Sequence, residues 1–164
     1  CLGWSVPGTT CGTAPQTFGC VVRHASRAVE AAKHLGASRV VLYGHSVGGV
    51  TALNVRSRFF PDCDVVVDRS FANLADVGAY HLGLSSSLLS PVLRLLSWDA
   101  TAAQSESDFV LFHDDDRMVP REHQYRPAHA TRLVGWRGQD VHNLPLHHFS
   151  AAYASVVRRL SSQR

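Results

Sequence analysis

Apolar positions recur at helical spacing from Phe18 to Leu35, at Val21, Val22, Ala25, Val29, Ala32 and Leu35, and Gly36 stands where a helix closes. The period then shortens. Ser38-Arg39-Val40-Val41-Leu42-Tyr43-Gly44 is a β-branched run that predicts a buried strand, and Val50 to Val55 opens another helix. Asp64-Val65-Val66-Val67-Asp68 predicts a second buried strand, Phe109 to His113 a third, and Thr131 to Trp136 a fourth. Phe149, Tyr153, Val156, Val157 and Leu160 form the apolar stripe of a closing helix. Strands alternating with helices predict an α/β fold, a mostly parallel sheet with helices on both faces.

About forty residues separate the second and third strands, more than an ordinary connection holds. Within them Ser90 reads as an N-cap and Pro91 as the first helical residue, ahead of Val92-Leu93-Arg94-Leu95-Leu96. That stretch is apolar on more than one face. It fits a core helix, or a cap over an apolar cleft that could also touch a membrane surface through residues 86–98. We expect a single domain over residues 1–164, with residues 69–107 as a cap or lid insertion within it.

The 164 residues suit one ordinary domain. Apolar residues make up 45% and charged residues 18%, enough of the former for a real core, which excludes disordered and low-complexity classes. Sixteen Lys and Arg stand against thirteen acids. The bases are scattered except for a loose group at Arg121, Arg126, Arg132 and Arg137, which reads as a solvated face or a contact for anionic lipid headgroups. No dense basic stripe with interleaved aromatics appears, so no nucleic-acid partner is expected. Cys1, Cys11, Cys20 and Cys63 form no CxxC pair and are expected to be reduced thiols. No metal site is expected from the ten histidines, because none stands in a helical His-x-x-x-His pair with a third ligand.

Gly44-His45-Ser46-Val47-Gly48 matches Gly-x-Ser-x-Gly, with a buried strand running in and a helix leaving. That is the strand–turn–helix setting of a nucleophile elbow. The flanking glycines let strand and helix approach closely, and the strained turn lifts the Ser46 hydroxyl above the sheet. There the helix N-terminus and the Val47 N–H can stabilise a developing oxyanion. A serine nucleophile needs a base, and the base an acid to orient it. Asp114, Asp115 and Asp116 follow the third strand, and Asp68 ends the second; each is a candidate acid. His142 lies in the loop after the fourth strand and is the favoured base, whereas His147 and His148 read as the start of the last helix. His45 packs or orients rather than catalyses. His24, His34, His81, His123 and His129 read as ordinary surface or half-buried residues.

Together these segments resemble the α/β-hydrolase-fold serine hydrolases from their fourth strand onward. Val40 to Val50 resembles the family's nucleophile strand and elbow. Asp116-Arg117-Met118-Val119-Pro120 resembles the segment carrying its acid, which selects Asp116, and Gly138 to Asn143 resembles the segment carrying its histidine. The opening Trp4-Ser5-Val6-Pro7-Gly8, with Gly12 and Pro15 behind it, is similar to a loop of the α/β-hydrolase-domain lipases, the phosphatidylserine and monoacylglycerol lipase branch in particular. The resemblance implies a partial α/β-hydrolase fold, with three further strands and an oxyanion loop upstream, so the chain is expected to be a piece of a longer protein. In the family the third strand pairs with the nucleophile strand.

It also implies a serine hydrolase that cleaves an acyl or lipid ester or thioester through an acyl-enzyme, with catalytic Ser46, Asp116 and His142 and oxyanion donor Val47. No cofactor is implied; the partner is a small acyl-ester or lipid substrate, and a cytoplasmic or membrane-associated setting is expected. Two alternatives stand beside it: a serine peptidase or amidase on the same frame, and a non-catalytic hydrolase-like binding module.

Overall fold

The computed structural model describes residues 17–85, 99–100, 103, 105–136 and 140–162. Helix α1 spans Phe18–His34. The Thr17 side chain caps its start by accepting from the Cys20 N–H, and Gly36, at φ 90°, takes the left-handed turn that ends it. Strand β1 is Val41–His45, helix α2 Val47–Phe59, and strand β2 Asp64–Asp68. Helix α3 is Leu74–Leu82, capped by Asn73, whose side chain accepts from the Ala75 N–H at 2.7 Å. Strand β3 is Phe109–Phe112 and β4 Thr131–Arg132. A 3-10 turn at Leu146–His148 leads into α4, Ser150–Ser162.

The four strands lie in the order β1-β2-β3-β4, every pair parallel. His45 is in register with Asp68, and Asp68 with Leu111, so the carboxyl ends of three strands meet along one rim of the sheet. Alternation sorts the core into two layers. Val65, Val67 and Val110 pack with Val22, Val29, Val50 and Leu53 of α1 and α2 on one face. Val66, Phe109, Leu111 and Leu133 pack with Phe149, Ala152 and Val156 of the closing segment on the other. The strands of β2 and β3 are therefore covered on both faces, which is why they read as unbroken apolar runs. Among the described residues β1 pairs only with β2, and Tyr43 is half exposed.

The α/β fold with helices on both faces is what the structure shows. The fourth strand is shorter than predicted. The ladder closes with the Leu133 N–H on the Phe112 carbonyl at 2.7 Å, and Gly135, at φ 112°, turns the chain away. Val134 and Trp136, apolar in sequence, are left exposed. The Ser90–Pro91 helix, the 86–98 surface and the opening loop from Trp4 to Gly8 lie outside the described residues. Among the described residues no helix is long and apolar enough to cross a membrane.

A buried ion pair ties α2 to the start of β3. Arg56 of α2 meets Asp108, the residue before β3, with one contact at 3.1 Å, and also donates to the Ala103 carbonyl at 2.6 Å. Asp108 is fully buried, and desolvation raises its carboxyl above the ordinary range although Arg56 pulls the other way.

Candidate active site

Ser46 sits between β1 and α2 at φ 53°, ψ −125°, a conformation that costs a non-glycine residue about 1–3 kcal/mol. Its main chain is fixed from both sides. The Ser46 N–H donates to the Asp68 carbonyl at 3.0 Å, and its own carbonyl accepts from the Gly49 N–H at 3.0 Å and the Ser70 hydroxyl at 2.6 Å. The Ser46 hydroxyl itself makes no hydrogen bond among the described residues.

The glycines divide the work differently from the motif. A Cβ on Gly44 would stand 2.2 Å from the Gly48 carbonyl oxygen, and one on Gly49 would stand 2.7 Å from the Ser70 Cβ. One on Gly48 would meet nothing within 4 Å. Close approach of strand and helix thus depends on Gly44 and Gly49, the second of which lies just past the motif. The Val47 and Gly48 N–H groups, at the first turn of α2, have no acceptor among the described residues; free donors beside the hydroxyl suit a developing negative charge.

On the same rim Asp116 and His142 meet: His142 Nδ1 lies 2.7 Å from Asp116 Oδ2, and both residues are buried. Asp116 Oδ1 accepts from the Met118 and Val119 N–H groups, each at 2.9 Å. This Asx-type turn aims the second oxygen at the ring. An ionised carboxylate there can only accept, so Nδ1 carries a proton, and in the neutral ring the free lone pair is on Nε2. The His45 ring lies 4.7 Å from the His142 ring, and its Nε2 is 2.7 Å from the His142 carbonyl. Because His45 directly precedes Ser46, the histidine pair brings the segment of His142 to the elbow.

The other sequence candidates are engaged elsewhere. Asp68 is fully buried and bound by both edges to Arg69, with Nε and Nη2 each at 2.8 Å, and it accepts from the Tyr43 hydroxyl at 2.5 Å. Burial and the Asp68 charge raise the Tyr43 pKa, so that hydroxyl stays a donor. Asp114 gathers Arg132 at 2.6 Å, Arg121 at 3.5 Å and Arg126 at 3.8 Å. Three members of the loose basic group therefore surround one carboxylate, while Arg137 lies outside the described residues. Asp115 is exposed. His147 and His148 are exposed, stacked on each other at 4.6 Å in the 3-10 turn that precedes α4.

Arg69 is the residue that sequence reasoning missed. It is 1% exposed, adopts φ 46°, stacks over Phe149 at 5.2 Å and donates Nη1 to the Val141 carbonyl. An arginine directly after a strand-ending aspartate was the only signal of it. A cavity of about 530 Å³ opens on the β3–β4 side, walled by His113, Asp114, Arg132 and Trp136 and not by Ser46 or His142. Cys20 and Cys63 are free thiols. Among the described residues no three His, Cys, Asp or Glu side chains gather in a way that could hold a metal ion. No family model matches the chain, and no curated protein matches it.

Proposed function

We propose that this chain carries the catalytic machinery of a serine hydrolase acting on an ester or thioester of an acyl chain. The observation that carries the proposal is the buried Asp116–His142 pair at 2.7 Å, held on the sheet rim beside the strained Ser46 elbow. In this scheme the Ser46 hydroxyl attacks the carbonyl carbon while His142 Nε2 takes its proton. Asp116 holds the ring in the required tautomer and favours its charged form. The Val47 N–H stabilises the oxyanion, a contribution of about 3 kcal/mol to the barrier by analogy with measured donor deletions. His142 then protonates the leaving alcohol or thiol, and water, deprotonated by the same imidazole, cleaves the acyl-enzyme. Hydrogen bonds between nucleophile and base often tighten only when substrate is bound, which accommodates the unbonded Ser46 hydroxyl.

That same unbonded hydroxyl favours the rival reading, a non-catalytic binding module on a hydrolase-like frame. A fluorophosphonate probe separates the two. An active elbow labels at Ser46, and Ser46→Ala abolishes the label; equal reaction of wild type and Ser46→Ala rejects the hydrolase.

A further inference from the structure

We infer that His45 and Arg69 are positioning residues that hold the base in place by two successive main-chain carbonyls, those of His142 and Val141. The inference rests on the hydrolase proposal and goes beyond it by assigning what places the imidazole against the nucleophile.

The segment that carries His142 has little sheet to hold it. β4 is only Thr131–Arg132, and the chain leaves the ladder at Leu133. Two side chains from other strand ends take over. His45, the last residue of β1, has its Nε2 2.7 Å from the His142 carbonyl. A carbonyl only accepts, so this nitrogen is an N–H donor whatever the ring's charge. Arg69, directly after β2, donates to the Val141 carbonyl. The guanidinium cannot swing away: two of its nitrogens are bound to Asp68, its face lies on Phe149, and its left-handed backbone donates N–H to the Leu111 carbonyl at 2.9 Å.

The consequence is geometric. His45 adjoins Ser46, so its bond to the His142 carbonyl joins the main chain of the base to that of the nucleophile through one side chain. The Asp116 carboxylate sets the ring's tilt, whereas His45 and Arg69 set how far the whole residue stands from the elbow. Displacements near 1 Å cost on the order of 100-fold in such sites.

The test uses the whole chain and two variants at one position. His45→Phe keeps an aromatic ring but loses the donor; His45→Gln keeps an N–H donor at the same reach. The rate of fluorophosphonate labelling at Ser46 and, with an acyl ester, kcat and KM are measured, together with the low-field NMR signal of the His142 Nδ1 proton. His45→Phe is expected to lose at least tenfold in labelling rate and kcat with KM within about twofold, and to lose or broaden the proton signal. His45→Gln is expected to restore all three. Replacing the whole ion pair, Asp68→Leu with Arg69→Met, leaves no unpaired buried charge and is expected to reproduce the His45→Phe pattern. If wild type labels and His45→Phe labels equally fast, the positioning role is wrong while the hydrolase stands. If wild type does not label at all, the hydrolase fails, and the proton signal alone decides: an unchanged His142 resonance in folded His45→Phe overturns the inference.

Discussion

Asp116 gives one carboxylate oxygen to the His142 ring and the other to two main-chain N–H groups, so its orientation is set before any substrate arrives. Asp116→Asn cannot keep this arrangement. An amide that offers its oxygen to His142 turns its NH₂ toward the Met118 and Val119 donors, and the opposite flip forces the ring into the wrong tautomer. On the proposed mechanism kcat falls about 10⁴-fold, with KM nearly unchanged. Steady-state kinetics on an acyl ester check this, and activity within tenfold of wild type would remove Asp116 from the triad.

The glycines give a stability test that needs no substrate. Gly44→Ala and Gly49→Ala push a methyl group into backbone or a short side chain, and each is expected to lower stability by about 1–3 kcal/mol or to prevent folding. Gly48→Ala, with open space around it inside a helix, is expected to be neutral or to gain about 0.5–1 kcal/mol. Thermal melts rank the three. A Gly48 variant as damaged as the Gly44 one would contradict the packing described.

His45 predicts a pH dependence. Burial lowers its pKa; the charges of His142 and Arg69 push the same way, while Asp68 and the hydrogen bond to the His142 carbonyl oppose them. With the folded value below the unfolded one, the unfolded chain takes up the proton first. The neutral ring's contribution to stability is therefore complete above about pH 6.5 and is lost as the pH falls through the lower, folded value. Between about pH 7 and pH 5 the wild-type melting temperature should drop more than that of His45→Gln. Parallel curves would show that His45 does not report the transition.

The Arg56–Asp108 pair predicts an asymmetry between breaking and replacing a buried charge. Asp108→Ala strands the guanidinium and is expected to cost about 3–5 kcal/mol, whereas Arg56→Met with Asp108→Leu is expected to be far milder. Urea unfolding of the three proteins decides it. A double variant as unstable as the single one would mean that the pair stabilises the fold in its own right.

Much of this architecture is legible in the chain because burial leaves a local trace. Val65-Val66-Val67 between two aspartates marks β2 to the residue, since a strand covered on both faces has no polar position to blur its ends. The elbow is legible because strand, sharp turn and helix are contiguous. The end of β4 was overestimated because Leu133-Val134-Gly135-Trp136 looks apolar, while Val134 and Trp136 face solvent beyond the last ladder bond. Arg69 was invisible for a different reason. Its partners include Asp68, its neighbour in the chain, but also Val141, 72 positions away, and no periodicity reports a convergence of that kind. Asp68 and Asp116 show the same division: one ends β2 and the other lies in the loop after β3, the resemblance of Asp116 to Pro120 favours the second, and the three-dimensional structure adds that Arg69 and Tyr43 already occupy Asp68.

The elbow leaves Ser46 anchored at its amide and its carbonyl while its hydroxyl has no hydrogen bond among the described residues. The hydroxyl is therefore carried on one torsion, χ1, about a main chain held at both its amide and its carbonyl. On the proposed mechanism, alignment of the nucleophile is then a side-chain rotation rather than a loop closure, and the rate of labelling at Ser46 should vary little with solvent viscosity.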